Sequence, residues 1–261
     1  MSILDEIVAS KRQELIETMR VCPLEELLAQ ISEGPPVSFN SALAREEINI
    51  IAEIKYKSPS QGNFQCQLPP QQVARLYSEN KAAAVSVLTE RNYFAGHIRF
   101  LDEIKKELPE LPLLRKDFIV DRYQVAETRR SLASAYLLIV SCLSEEELAG
   151  LIDYGRELDL DALVEVHDPH ELEIAVEQGA RTIGVNNRNL KTFEVRVETS
   201  FDIARRMEGE EGFLLVSESG IETHSQILEL RDAGFSAYLI GSSLMNSEHP
   251  GQRLRELQGE S

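Results

Sequence analysis

Eight short runs rich in leucine and β-branched residues recur through most of this chain, at 49–55, 83–89, 111–116, 135–140, 161–166, 182–186, 213–217 and 237–241. Successive runs lie roughly 20 to 35 residues apart, the length of one strand, one helix and their connections. The intervals carry helical patterns over 68–80, 97–108, 121–133, 144–158, 168–178, 200–208 and 222–233, and a short polar helix follows the last run. Ser144-Glu145-Glu146-Glu147 fits a capping box, and Asp168-Pro169 reads as a helix start. The runs are apolar along most of their length, which marks strands buried on both faces, as parallel strands are. A doubly wound open sheet is the competing architecture, but it gathers ligand chemistry at one switch point. Here many runs end in polar residues, and that favours closure into an α/β (βα)8 TIM barrel. A chain of 261 residues matches the roughly 250 that such a barrel commonly needs, so a single domain is expected over 1–261.

Residues 1–46 stand outside the repeat and are expected as an N-terminal helical extension to a barrel over 47–261. Ile3, Leu4, Ile7 and Val8, then Leu15 and Ile16, form apolar stripes at helical spacing. Pro23-Leu24-Glu25-Glu26-Leu27-Leu28 opens another helix with proline in its first turn. Spacing alone leaves open whether this cap closes the bottom of the barrel or helps to cover its mouth.

A formal charge of −17 opposes non-specific binding to nucleic acid or to an anionic membrane, both of which need a positive surface. If the ligand is an anion, its cations must be local. No apolar run approaches the length of a membrane span. Asp5 and Glu6 stand where a secretory signal would carry basic residues, so a cytoplasmic location is expected. Cys22, Cys66 and Cys142 lack any ligand spacing and read as free thiols. Among the five histidines only His167 and His170 are close, and the helix start between them makes them turn residues in preference to metal ligands.

The segment Ile51-Ala52-Glu53-Ile54-Lys55 breaks into Tyr56-Lys57-Ser58-Pro59-Ser60-Gln61-Gly62, a Ser/Pro/Gly loop. Glu53 and Lys55 are two apart and share a face at the carboxyl end of a strand. Alone, such a pair reads as a strand-end salt bridge. The same end of other runs supplies Lys116, Glu165, Asn186 and Arg188, then Ser217-Glu218-Ser219-Gly220 and Gly241-Ser242. Alternation sends Arg115 and Lys116 to opposite faces, one toward a helix and one toward the mouth. Glu165 has four apolar neighbours, where partial burial would raise its pKa into a useful acid/base range. Two Gly-Ser turns after the seventh and eighth runs sit where barrels commonly bind phosphate.

The stretches IAEIKYKSPSQG, SVLTE with YFAG, LLRKDFIVDRYQV, LVEVHD, GVNNRNL, VSESGI and LIGSSLM, in this order and spacing, resemble the indole-3-glycerol-phosphate synthases, barrel lyases of tryptophan biosynthesis. The resemblance implies ring closure, decarboxylation and dehydration of 1-(2-carboxyphenylamino)-1-deoxyribulose 5-phosphate, a small anionic phosphate substrate. It implies no cofactor or metal, and a protein that is often monomeric. Carried over residue by residue, the catalytic set is Lys116, Glu165, Lys55 and Glu53. Asn186, Arg188 and Glu218 would contact the polar parts of the substrate, and Phe94 and Phe118 would wall its aromatic ring. Ser58, Ser219, Gly220, Gly241 and Ser242 would hold the phosphate. Two departures stand out. Family members often carry Gly-Ala-Asp-Ala entering several strands, where this chain has Lys81-Ala82-Ala83-Ala84, Leu132-Ala133-Ser134-Ala135 and Phe235-Ser236-Ala237. The second residue of Asn186-Asn187-Arg188 also reads as a position open to variation. Two alternatives remain: another phosphate-binding barrel, such as phosphoribosylanthranilate isomerase, or a barrel kept as a non-catalytic scaffold. The isomerase would need a Cys/Asp pair at the first and fifth strand ends, where this chain has Glu53 and Glu165.

Overall fold

A computed structural model describes residues 3–190 and 192–260; Met1, Ser2, Lys191 and Ser261, which the expected single domain includes, lie outside the described residues. Eight parallel strands close on themselves: β1 (Asn49–Ile54), β2 (Ala84–Leu88), β3 (Leu113–Lys116), β4 (Ala135–Ile139), β5 (Asp161–Val166), β6 (Thr182–Asn186), β7 (Leu214–Glu218) and β8 (Ala237–Ile240). The closing pair is β1 with β8, in register Asn49↔Ala237 to Ala52↔Ile240. Strands alternate strictly between lumen and helix layer, as the pleat requires. Ile51, Leu114, Leu137, Leu163, Val216 and Leu239 fill the lumen. Ile50, Val85, Leu113, Tyr136, Val164, Ile183, Leu215 and Tyr238 pack outward against helices.

Six of the eight strands shift at an end by a residue or two from the expected runs, and two of the shifts have a local cause. The third strand starts at Leu113 because Pro112 has no N–H to donate to the ladder; it only accepts, from Val85 N at 2.9 Å. The seventh runs one residue further, since Glu218 pairs with both Asn186 and Leu239 instead of opening the loop. The helices α4 (Pro70–Glu79), α5 (Arg99–Glu107), α6 (Arg122–Arg130), α7 (Glu145–Glu157), α8 (Pro169–Glu177), α9 (Glu198–Arg206) and α10 (His224–Asp232) follow the first seven strands. Ser144 with Glu147 forms the expected capping box on α7, and Asp168 caps α8 ahead of Pro169. After β8 come two helices instead of one, α11 (Ser242–Met245) and α12 (Pro250–Gln258).

The helix-to-strand joints repeat one device. The residue after the helix takes a left-handed conformation and the next N–H reaches back five residues, as in Ala82 N to Tyr77 O, Leu160 N to Gly155 O, Ala180 N to Ala175 O and Phe235 N to Leu230 O. Glycine serves at Gly179 and Gly234, whereas Lys81 (φ 61°), Leu132 (φ 58°) and Asp159 (φ 56°) adopt that conformation with a Cβ.

The N-terminal extension does both jobs that spacing left open. Helix α1 (Ile3–Val21) lies across the carboxyl ends of the strands, where Ile3, Leu4 and Ile7 line the mouth. Its buried Lys11 pairs with Asp117, just past β3, at 3.2 Å. Helix α2 (Leu24–Leu28) follows Pro23, which sits at the N-cap instead of inside the first turn. A third helix that periodicity did not reveal, α3 (Phe39–Leu43), plugs the other end, with Phe39 and Leu43 against Ile51, Ala84, Ala135 and Ala237. Asn40 ties the plug down, donating to Asp161 Oδ1 at 2.7 Å and accepting from Thr182 Oγ1 at 2.7 Å.

Candidate active site

The last lumen-facing residue of each strand meets at the mouth, and alternation decides which side chains those are: Glu53, Leu88, Lys116, Ile139, Glu165, Asn186 and Glu218, with Gly241 just after β8. They line one cavity of about 580 Å³, walled also by Phe94, Phe118, Leu190 and the α1 residues Ile3, Leu4 and Ile7. That volume suits a drug-sized organic molecule.

Lys116 stands at the centre. Its ammonium donates to Glu165 Oε2 at 2.8 Å and to Glu218 Oε2 at 2.5 Å. Burial alone would lower its pKa, but the carboxylates of Glu165, Glu218 and Glu53 outweigh that and hold it above the usual lysine range. Arg115 takes the opposite face, as alternation requires, and binds Gln124 O, Glu127 and Thr128 on α6. Asn186 donates to Glu165 Oε1 at 3.1 Å. The Glu53–Lys55 pair is indeed a salt bridge, at 2.6 Å, but one inside the cavity, with the Lys55 ammonium 5.3 Å from the Phe64 ring.

The acid/base expectation for Glu165 is corrected. Burial does push its carboxyl up, yet Lys116 and His167 together hold it well below the usual carboxylate range. Glu218 is the group that moves the other way. Burial raises it, Glu165 and Glu53 add to that, and Lys116 compensates only in part, leaving it at about 7. Glu218 Oε1 is buried without a partner among the described residues. Two glycines make room for these carboxylates: a Cβ at Gly184 would strike Glu218 Oε1, and one at Gly241 would strike Glu53 Oε1.

The expected phosphate residues all line the cavity, on the loops after β7, β8 and β1, which are neighbours in the barrel. Ser219 (φ 68°) and Gly220 (φ 80°) turn the chain sharply after β7. Gly241 heads α11, whose first N–H groups receive no side-chain cap. Ser242 Oγ donates to Gln61 Oε1 at 2.9 Å, joining α11 to the loop after β1, where a two-residue hairpin pairs Lys57–Ser58 with Gly62–Asn63. Ser58 Oγ accepts from Gln61 N in that loop at 3.2 Å. Phe94 and Phe118 stack tilted, with ring centroids 6.1 Å apart. Arg188 lines the mouth and donates to Phe193 O at 3.1 Å.

Several residues that shape the site gave little signal in the sequence. Glu90 is buried and accepts from the N–H groups of Asn92, Tyr93 and Phe94, which fixes the loop carrying Phe94. Asp117 accepts from Thr89 Oγ1 at 2.6 Å and from Arg115 at 3.2 Å, so the residue after Lys116 is anchored from three elements. Asn187, expected to be open to variation, is buried; it donates to Ser217 Oγ and Ser219 O and accepts from Ser200. A side chain lacking either a donor or an acceptor there would leave Ser219 O or Ser200 N without this partner. His170 is exposed but lies inside the first turn of α8 instead of in the turn before it, and His167 is packed between two carboxylates. The three cysteines are free. No described helix is long and apolar enough to cross a membrane.

A family model described as indole-3-glycerol phosphate synthase matches residues 4–257. Relatives of that name are 42% identical in Acetivibrio thermocellus, over 98% of this chain and 99% of the relative, and 41% identical in Roseiflexus castenholzii, over 99% and 98%. Among solved structures, 3-hexulose-6-phosphate synthase from Salmonella typhimurium aligns with a TM-score of 0.65 at 12% identity, over 81% of this chain and 97% of that one. A chain of the tryptophan synthase complex of Pyrococcus furiosus aligns with a TM-score of 0.61 at 13% identity, over 81% and 98%. At these identities the two structures show the barrel fold alone.

Proposed function

The chain belongs to the indole-3-glycerol phosphate synthase family, and we propose that its barrel mouth closes the indole ring of 1-(2-carboxyphenylamino)-1-deoxyribulose 5-phosphate with loss of carbon dioxide and water. The observation that carries the site assignment is the Lys116 ammonium, held between Glu165 and Glu218 in a cavity that Phe94 and Phe118 wall and that the Ser219-Gly220 and Gly241-Ser242 turns line.

The carboxylate-bearing ring carbon attacks the neighbouring ketone, and the developing alkoxide needs a cation and a proton. Lys116 supplies both. The ring is cationic until carbon dioxide leaves with its carboxylate, and the bond pair left behind restores aromaticity. Glu165, anionic throughout the neutral range, stabilises that cation. The new hydroxyl then departs as water while a proton leaves toward a base. Lys55 and Glu53, salt-bridged on one face, form an acid and base for this step. Glu218, poised near neutrality with one oxygen unpartnered, accepts a hydrogen bond from the polar region of the substrate and exchanges protons with it.

Ser58, Ser219, Gly220, Gly241 and Ser242 hold the phosphate, Asn186 and Arg188 the carboxylate and hydroxyls, and Phe94 and Phe118 the ring. The acidic surface favours solubility, and a doubly anionic substrate is drawn by the local cations Lys55, Lys116 and Arg188. Such a protein works in the cytoplasm. Formation of the fluorescent indole product from the anthranilate-linked substrate tests the reading. A folded protein that bound this substrate and released no carbon dioxide would be a scaffold instead.

A further inference from the structure

His167 lies one residue beyond β5, and neither its place in the turn nor the chemistry above accounts for its surroundings. Its Nδ1 is 2.9 Å from Glu171 Oε2, which also accepts from the His167 backbone N–H at 2.8 Å. Its Nε2 is 3.3 Å from Glu165 Oε1, an ion-pair contact that is not aligned as a hydrogen bond, and this atom is buried with no other partner. Glu171 itself is fixed in the first turn of α8, where Asp168 caps its N–H. An imidazole whose two nitrogens both face carboxylate oxygens can satisfy them only when both carry protons. Among the described residues no group of three His, Cys, Asp or Glu side chains could hold a metal ion, so a proton is the bridging charge.

We propose that His167, clamped as an imidazolium between Glu165 and Glu171, is a positioning residue that keeps Glu165 ionised and aimed at Lys116. This rests on the reading of the barrel mouth as the site of indole formation. The array then runs Glu171, His167, Glu165, Lys116, Glu218, with alternating charge from α8 to β7. The other groups facing it are Glu53 beside Lys116, Asn186 on Glu165, and Cys142 from the turn after β4, on which Asp5 and Arg12 of α1 also act. The carboxylates outweigh the burial of His167 and raise its pKa to about 10, in keeping with a permanent cation. Without it, Glu165 would keep Lys116 but compete for it with Glu218.

Nitrogen-detected NMR of wild-type protein with labelled histidine tests the charge without any variant. At about pH 8.5, two units above the ordinary histidine value, one of the five imidazoles should remain doubly protonated; five neutral rings would overturn the proposal whatever the enzyme does. Kinetics test the consequence. His167→Gln should lower kcat about tenfold with KM changed less than about twofold, and should add a second ionisation to the acid limb as Glu165 begins to protonate. His167→Lys, which restores the charge, should recover the wild-type limb. A folded His167→Gln enzyme with an unchanged pH profile would also overturn the proposal, whereas an inactive wild type would instead sink the reading of the site.

Discussion

The two ends of the barrel handle buried polarity in opposite ways. At the bottom the polar groups around the plug are answered within the protein: Asn40 bridges Asp161 and Thr182, and the Asn49 amide donates to Leu43 O, Arg45 O and Ser236 O. The remaining volume is filled by Phe39 and Leu43, both fully buried. At the mouth the charges are crowded against one another and left incomplete. Three carboxylates face Lys116, Glu218 is held near neutrality, and its Oε1 has no partner among the described residues. A stable core seldom leaves a carboxylate oxygen unmet. The bottom is therefore closed chemistry and the mouth is chemistry awaiting a ligand.

The largest test of this contrast is Lys116→Ala. Turnover should fall on the order of a thousandfold, as when one electrostatic donor is removed from a reacting oxygen, and near-normal turnover in the indole assay would dissolve the assignment. Phe39→Ala strikes the other end. It should cost about 3–5 kcal/mol in urea unfolding, while kcat of the folded protein stays within about twofold. Gly184→Ala, a single methyl group aimed at Glu218, should reduce kcat by roughly ten- to a hundredfold at a stability cost of about 1–3 kcal/mol.

A finer test uses pH. The kcat/KM profile should fall as pH is lowered through about 7, where Glu218 takes up a proton, and Glu218→Gln should lose that limb. The linkage has a definite sign. The folded state binds this proton more tightly than the unfolded chain does, so the cost of ionising Glu218 is absent at low pH. It grows as pH rises from the ordinary carboxylate value, about 4.3, toward 7. The smallest effect belongs to the bottom joints. Leu132→Gly relieves a left-handed residue that carries a Cβ, and should raise stability by roughly 0.5–1 kcal/mol, or about 1–4 °C in Tm, with kcat unchanged.

Those joints show a backbone conformation imposed on side chains that do not favour it. Lys81 and Leu132 stand where the resemblance leads one to expect glycine, and both take the left-handed turn because the bonds closing the helix end impose it. Legibility was uneven for comparable reasons. Period-2 alternation separated Arg115 from Lys116, and the spacing of eight apolar runs gave closure, because both are properties of neighbouring residues along one chain. Helix α3 was illegible because Phe39–Leu43 is too short for a period to register. Glu90, Asn187 and His167 were illegible because each gets its role from groups far off in sequence or from turn geometry.

What the amino-acid sequence determined by itself is the set of strand ends and the faces they present, hence which side chains gather at the mouth. It could not decide their charge states. Glu165 and Glu218 both face the mouth from the carboxyl ends of barrel strands, yet one is held anionic and the other near neutrality. The difference lies in how many cations reach each: Lys116 and His167 for the first, Lys116 alone for the second. A pKa is fixed by distances in three dimensions within a poorly screening interior, and only the closed barrel sets those distances.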